Sequence, residues 1–318
     1  IRLSLVGSEM CIRDRYAPCA GCGQAHRPRL VSKRPRYAGR PVISEPMPAR
    51  TASPSRSLRS ASSGRRKVVD VFKFGGASLA DAAAVRHAID IILTPRPSHV
   101  VTVVSALAGV TDALLAMADS ARAGDFRAAD AAVDRLEARH VTVAEGIIPT
   151  RRARAALVKE LEEAFAELRT LAHGVASLRE LTPRTRDFLV ARGEQLSARL
   201  VVAGMQARRA KAHYVEAAEL IVTDGVFGNA FPDLAATDRR VRDRLASLLR
   251  RRVMPVVPGF VGASPDGALV TLGRGGSDLT ATVLGRALKA QRITLWKDVP
   301  GLMTTDPRLV PSARIVPQ

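Results

Sequence analysis

Residues 68–78, VVDVFKFGGAS, join a β-branched and aromatic run to a pair of glycines, and they open the regularly patterned part of the chain. A short apolar run of this kind is typical of a buried strand that ends at the glycines. Residues 80–93, ADAAAVRHAIDIIL, follow with apolar residues at helical spacing, and residues 99–107, HVVTVVSAL, form a second apolar run. The order strand, helix, strand predicts parallel strands joined by a crossover helix.

The same alternation continues along the chain. Residues 111–208 are rich in Ala, Leu, Arg and Glu at helical spacing, with interruptions at Pro149 and Pro183. The later segments are predicted as strands, a charged helix, a strand, a hairpin, a helix and a strand: AHYVEAAELIVTD (212–224), ATDRRVRDRLASLLRRR (236–252), MPVVPGFVG (254–262), GALVTLGRGG (267–276), SDLTATVLGRALKA (277–290) and RITLWKDVPG (292–301). This order predicts an α/β fold with a mostly parallel sheet, whose ligands bind beyond the carboxyl ends of the strands.

The composition and the distribution of charge indicate which kinds of partner the protein is not expected to bind. The chain has 318 residues, of which 47% are hydrophobic, so it can bury a sizeable core, and it has no uninterrupted apolar run long enough to span a membrane. Its net charge of +19 is concentrated at the start, because residues 1–67 hold 15 of the 49 Lys and Arg but 3 of the 30 Asp and Glu. The remainder is mildly basic and poor in aromatic residues, so neither a nucleic acid nor a membrane is predicted as a partner.

Residues 1–67 are predicted to be a disordered basic leader, rich in Pro, Ser and Arg, that is not part of the fold. Residues 5–15, LVGSEMCIRDR, resemble a translated sequencing adapter, so part of the leader is expected to be non-native. The alternative is a transit peptide, which would place the protein in a plastid instead of the cytoplasm. All three cysteines lie here without a second spaced pair, so we predict no metal site.

Two predicted strands end in glycine-rich turns that suit a phosphate. Lys73 precedes Gly75 and Gly76, where the backbone can approach a phosphate closely and the lysine adds a mobile positive charge. A glycine turn beside a surface lysine is the alternative interpretation. Ser105 and Thr111 flank the turn after the second strand, where Thr111 could equally cap a helix.

Residues 273–278, GRGGSD, form the most specific motif. They place Arg274 before two glycines, with Ser277 and Asp278 at the start of a helix, which indicates an anion site. Glu194 lies among arginines in a predicted helix, where it is either a solvated charge or a carboxylate that holds a substrate ammonium.

The last predicted strand carries Lys297 and Asp298 into a Pro-Gly turn, and a polar cluster runs from Thr304 to Arg308. The sequence has no Walker A motif, no GxSxG elbow and no GxGxxG motif. Anion sites with few candidate bases favour phosphoryl transfer to a carboxylate, which is already ionised at neutral pH and needs no general base. Positioned cations would reduce the repulsion between this acceptor and the donor phosphates.

Residues 68–318 resemble the catalytic domain of the aspartate kinases, within the amino-acid kinase family. The matching motifs, in order, are KFGGAS, SALAGVT, ARGEQLSA, GFVGASPDG, TLGRGGSD and WKDVPG followed by TTDPR, with Ala77 where threonine is usual. The resemblance implies a three-layer α/β/α sandwich of the amino-acid kinase, or carbamate kinase-like, fold. It also implies a catalytic domain that is truncated before the family's regulatory ACT domains.

The implied activity is ATP-dependent phosphorylation of the L-aspartate side chain to 4-phospho-L-aspartate, the first step of lysine, threonine and methionine biosynthesis, with ATP and Mg²⁺ as cofactors. The resemblance makes Lys73 and Asp278 catalytic. It assigns nucleotide binding to Gly75, Gly76, Ser105, Lys297, Asp298 and Arg308. It assigns aspartate binding to Thr111, Glu194, Phe260, Arg274 and Ser277. A homo-oligomer is implied for the full-length parent.

Two alternatives remain open from the sequence. The first is another kinase of the same fold that acts on acetylglutamate or glutamate, although those kinases lack the long helical insertion near residues 111–208 and the RGE motif. The second is an inactive fragment whose basic leader binds acidic partners.

Overall fold

The computed structural model describes residues 2–6, 68–96, 98–297, 304–305, 310 and 312–316. The strands are β1 (Arg2–Val6), β2 (Val69–Phe74), β3 (His99–Val104), β4 (Ala212–Tyr214), β5 (Met254–Pro258), β6 (Val261–Ala263), β7 (Leu269–Thr271) and β8 (Arg292–Trp296). The helices are α1 (Ala82–Leu93), α2 (Val110–Arg122), α3 (Phe126–Ile147), α4 (Arg151–Leu178), α5 (Pro183–Ala207), α6 (Leu234–Arg250) and α7 (Gly276–Leu288).

A six-stranded parallel sheet in the order β1-β8-β2-β3-β5-β4 forms the centre of the fold. Its register aligns the strand ends, because Phe74 at the end of β2 pairs with Val104 of β3 and with Trp296 of β8. The loops that follow these three strands therefore emerge at one edge of the sheet. This is the edge at which the sequence places its polar motifs.

Side chains of β2 alternate between two buried clusters. Phe72 and Phe74 pack with the cluster that contains most of the apolar residues of α1 to α5. Val71 packs instead with apolar residues of α6 and α7. This period-2 alternation, with helices on both faces, confirms the predicted α/β/α sandwich.

The long helical region folds as four consecutive helices, α2 to α5. The first break lies at Gly124, whose φ of 83° is the left-handed conformation that glycine adopts without strain. The second lies near Pro149, and the third precedes Pro183, which occupies the first turn of α5 after the capping hydroxyl of Thr182. Within the described part of the chain, no helix combines the length and apolar character that a membrane crossing needs.

Two predicted segments differ from the structure. The segment 254–262 is not one strand, because the backbone turns at Gly259 and at Phe260, where φ is 69°, and β6 instead forms an antiparallel hairpin with β7. The segment 212–224 is not a pair of strands either. Only β4 forms there, followed by a 3-10 turn at Ala217–Glu219 and isolated bridges. In both places the local apolar pattern suits a strand but does not reveal the turn that tertiary packing imposes.

The leader also departs from its prediction at residues 2–6. They form β1, which pairs in parallel with β8 from Arg2↔Arg292 to Val6↔Trp296. The physical reason is that β8 would otherwise present unpaired backbone groups at the sheet edge, and the alternating RLSLV sequence can satisfy them. Residues 7–67, with the three cysteines, lie outside the described residues, so the prediction of disorder stays a prediction there.

The packing between α3 and α4 can be tested at Phe165 of α4. This residue is 1% exposed, and its ring packs edge-on against the imidazole of His140 on α3. We expect Phe165→Ala to lower the free energy of unfolding by about 3–5 kcal/mol, since it removes buried surface and leaves a cavity. Leu178→Ala is the control, because Leu178 ends the same helix at 75% exposure and should change little. Urea unfolding followed by circular dichroism measures both, and equal losses would contradict this packing.

Candidate functional site

Two lysines and one aspartate form a charge cluster at the carboxyl edge of the sheet. Lys73, on β2, is 6% exposed, and its Nζ lies 2.7 Å from Oδ1 of Asp278 in the first turn of α7. The Nζ of Lys297, just beyond β8, lies 3.0 Å from Oδ2 of the same carboxylate. Asp278 thus pairs with two ammonium groups, one on β2 and one just beyond the neighbouring strand β8.

The pKa values of this cluster follow from burial and pairing. Burial lowers the pKa of Lys73, against the raising effect of Asp278, and the positive charge of Lys297 lowers it further. Burial alone would raise the pKa of Asp278, but Lys73 and then Lys297 outweigh it, so this pKa lies below its ordinary value. The two lysines and the carboxylate of this cluster all line the cavity described below.

The motif GRGGSD forms a glycine-rich turn directly before α7. Gly273 and Gly275 have φ values of 71° and 77°, so the backbone adopts left-handed conformations on both sides of Arg274. Arg274 is exposed and has no ion-pair or hydrogen-bond partner among the residues that the structure describes. The backbone N–H groups of Gly276 and Asp278 donate to the carbonyls of Gly273 and Gly275, at 2.9 and 3.0 Å. The side chain of Arg274 is therefore the group of this turn that is available to an anion.

Glu194 is a buried acid in the middle of α5. Its side chain faces the turn after β3, where the backbone N–H of Ala106 hydrogen-bonds to it. Gly193 permits this approach, because a Cβ there would lie 2.9 Å from the Cβ of Ala106. Burial raises the pKa of Glu194 to about 8, against the lowering effects of backbone hydrogen bonds and of Lys73. Its Oε2 has no hydrogen-bond partner in the described structure, so a cationic donor would satisfy it.

All these groups meet in one cavity of about 380 Å³. It brings together ten of the predicted site residues: Lys73, Gly76, Ser105, Thr111, Glu194, Phe260, Arg274, Ser277, Asp278 and Lys297. A second cavity of about 760 Å³ adjoins it and shares the walls formed by Thr111, Phe260 and Arg274. The smaller cavity holds the charge cluster, so it is the candidate active site although the second one is larger.

Three predicted residues stand apart from this set. The backbone N–H of Gly75 donates to the carbonyl of Trp296 at 3.2 Å, so it joins β2 to β8, and the expectation that it faces a phosphate is wrong for this N–H. Asp298 and Arg308 lie outside the described residues. Their assignment to the nucleotide stays a prediction.

Two acidic residues near the site were not predicted from the sequence. Asp112 follows Thr111 in the first turn of α2 and lines both cavities. Asp187 is 4% exposed and lines the larger cavity. Its only signal in the sequence is a spacing of two helical turns before Glu194, which places both carboxylates on one face of α5.

The parallel sheet, the glycine-rich turn before α7 and the paired lysines define an α/β protein with a positively charged cluster at the carboxyl edge of its sheet. Residues 69–318 match the profile of the amino acid kinase family, and the chain belongs to this family. The chain is 36% identical over 245 residues to lysine-sensitive aspartokinase 3 of Escherichia coli, a match that covers 77% of this chain and 52% of the relative. It is 38% identical over 254 residues to chloroplastic aspartokinase 1 of Arabidopsis thaliana, covering 78% and 43%.

The fold comparison agrees with the sequence comparison. The structure superposes on E. coli aspartokinase III in complex with aspartate and ADP with a TM-score of 0.71 at 33% identity, covering 78% of this chain and 53% of that one. Aspartate kinase of Clostridium acetobutylicum shares the fold, with a TM-score of 0.60 at 24% identity. The chain spans about half the length of the curated relatives it matches.

The buried carboxyl group of Glu194 predicts a pH dependence of stability. Its folded pKa of about 8 exceeds the ordinary value of 4.5, so between these values the folded state holds a proton that the unfolded state has lost. Stability is therefore greatest below pH 4.5 with respect to this group, and it falls as pH rises to about 8, by about 1.4 kcal/mol per pH unit.

We expect Glu194→Gln to remove this slope, so that the variant gains on the wild type as pH rises from 5 to 8. Denaturant unfolding at several pH values measures the difference in free energy. The matched control is Glu162→Gln at an exposed position on α4, which should follow the wild type at every pH. Parallel curves for the wild type and Glu194→Gln would contradict the buried, protonated state.

Proposed function

We propose that this chain carries the catalytic domain of an aspartate kinase, which transfers the terminal phosphoryl group of ATP to the side-chain carboxylate of L-aspartate. The observation that carries the proposal is the shared cavity, in which Lys73 and Asp278 face Glu194 and Arg274. The similarity to E. coli aspartokinase III in complex with aspartate and ADP supports this choice of substrates.

The phosphate side of the reaction uses the lysines. Lys73 neutralises the transferred phosphoryl group, and Asp278 orients the Lys73 ammonium through the 2.7 Å contact. Lys297 adds a second positive charge, and Gly76 and Ser105 line the path of the phosphates. Because these groups are fixed before the substrates arrive, they stabilise the developing charge at little cost in reorganisation.

The amino-acid side uses Glu194 and Arg274. Glu194 binds the α-ammonium, which supplies the missing partner of its Oε2, and the free guanidinium of Arg274 binds the α-carboxylate. Ser277 supports the substrate, while Thr111 and Phe260 shape its pocket. The β-carboxylate then faces the lysines and acts directly as the nucleophile. No base has to remove a proton from it, so the product is the mixed anhydride, 4-phospho-L-aspartate, with ADP as the leaving group.

Mg²⁺ would arrive with the nucleotide and shield the charge of its phosphates. Both oxygens of Asp278 contact lysines, and the described residues contain no group of three or more His, Cys, Asp or Glu that could hold a metal. These side chains fit an ion held mainly by phosphate oxygens and water, an arrangement that magnesium commonly adopts.

The first test of this mechanism is the loss of the Lys73 charge. We expect Lys73→Ala to lower kcat for aspartate-dependent ADP release by at least about a hundredfold, since a positioned cation at the transferred phosphate is removed. Lys159→Ala is the control, because Lys159 lies on α4 with a side chain that is 76% exposed. A coupled assay for ADP with ATP and Mg²⁺ measures both variants. Normal turnover by Lys73→Ala would exclude this mechanism.

Substrate choice separates the proposal from the related kinases. We expect kcat/KM for L-aspartate to exceed that for L-glutamate by about 10–200-fold, because one added methylene displaces the acceptor carboxylate from the lysines. N-acetylglutamate should be inactive, since it has no ammonium for Glu194. A preference for glutamate or its acetyl derivative would reassign the substrate within the same family.

A further inference from the structure

Asp187, at the start of α5, is a buried carboxylate that the mechanism above leaves unused. Its Oδ2 accepts hydrogen bonds from the backbone N–H of Gly228 and of Thr271, both at 2.8 Å, and its Oδ1 accepts one from the hydroxyl of Thr271 at 3.0 Å. The residue is 4% exposed. Its negative charge is therefore held by three donors in a region with little water, where each bond is strong.

These hydrogen bonds join the two segments that carry the substrate-binding charges. Glu194 lies seven residues beyond Asp187 on α5, which is two helical turns along the same face. Thr271 ends β7, three residues before Arg274. The backbone N–H of Ala230 also donates to the carbonyl of Thr271 at 2.9 Å, so the loop that holds Gly228 is bound to the same strand.

The turn that carries Arg274 is also held by the backbone N–H of Leu272, which donates to the carbonyl of Phe260 at 2.8 Å. Arg274 itself is exposed and, within the described residues, unpaired, while Gly273 and Gly275 on either side adopt left-handed conformations. The position of Arg274 relative to α5 depends on where Thr271 is held, since Thr271 ends β7 three residues before Arg274 and is the residue of this strand that bonds to α5 through Asp187. Asp187 fixes Thr271 to the helix that carries Glu194, and all of Asp187, Gly228, Thr271 and Arg274 line the larger cavity beside the active site.

We propose that Asp187 is a positioning residue that sets the distance between Glu194 and Arg274, and that it thereby selects amino dicarboxylates of the length of aspartate. The inference rests on the proposed function, in which these two side chains hold the α-ammonium and the α-carboxylate. Since the α-groups orient the substrate, their spacing determines whether a β- or a γ-carboxylate reaches the lysines.

Two substitutions weaken the link to different degrees. Asp187→Asn leaves one oxygen and puts an amide NH₂ against groups that are all donors. Thr271→Val removes only the hydroxyl donor and keeps the backbone N–H, so it remains informative if Asp187→Asn does not fold. Thr271→Ser restores the hydroxyl and tests rescue. Asp233→Asn is the control, because Asp233 also accepts two backbone N–H groups, at the start of α6, but lines neither cavity.

The experiment measures steady-state kinetics of the full chain with aspartate, glutamate and ATP, together with the thermal midpoint. We expect Asp187→Asn and Thr271→Val to raise KM for aspartate by about tenfold while KM for ATP stays within about twofold. The ratio of kcat/KM for aspartate to that for glutamate should fall by a similar factor. Thr271→Ser should match the wild type, and Asp233→Asn should lower the thermal midpoint without changing KM or the ratio.

The outcomes distinguish the inference from the function on which it rests. If the wild type releases ADP with aspartate but Asp187→Asn and Thr271→Val change only the thermal midpoint, Asp187 has a purely structural role and the inference is overturned. An equal rise of KM for aspartate and ATP also overturns it, since this would indicate a general disturbance of the site. If the wild type releases no ADP with aspartate, the proposed function fails and the inference fails with it.

Discussion

The ion pair between Lys73 and Asp278 is the contact on which the candidate site depends. It joins the end of β2 to the start of α7, and Lys297 adds the end of β8 to the same carboxylate. Each partner is largely removed from water, so loss of Asp278 would leave Lys73 buried without the carboxylate that pairs with it. A buried pair of this kind contributes little net stability, but the loss of one member is costly. The cluster of Lys73, Asp278 and Lys297 instead fixes the geometry of the site, because the ends of β2 and β8 and the start of α7 must meet for it to form.

The meeting of these three segments depends on the parallel register of the sheet. Phe74, Val104 and Trp296 end their strands at the same level, and the residues that follow them enter a common cavity. Trp296 also fixes the glycine turn after β2 at this end of the sheet. Its carbonyl accepts hydrogen bonds from the backbone N–H of Gly75 and from the hydroxyl of Ser78. The indole stacks on Phe74 at a ring-centroid distance of 5.9 Å. Trp296 is partly buried and packs against the apolar cluster that contains Phe74.

The sequence predicted the sandwich and most of the cavity because the relevant signals are local. A β-branched run that ends in glycine is visible along the chain, and so is a helix that begins with GRGGSD. The N–H of Gly75 could not be assigned in this way, because its partner on β8 is more than two hundred residues away. The same holds for Asp187, whose donors lie on β7 and a distant loop, and for the turn at Phe260, whose N–H binds the hydroxyl of Thr280 on α7. Hydrogen bonds between distant segments have no periodicity that a sequence pattern can show.

The Oε2 atom of Glu194 has no hydrogen-bond partner in the described structure, and this affects the charge of the empty cavity. Around neutrality this carboxyl group is mostly protonated, because burial favours its uncharged form. An ammonium ligand stabilises the opposite form, so it enters only as the hydrogen ion leaves. Hydrogen ions and the ammonium group of the proposed substrate would thus compete for one oxygen atom, and low pH would act as a reversible antagonist of that substrate.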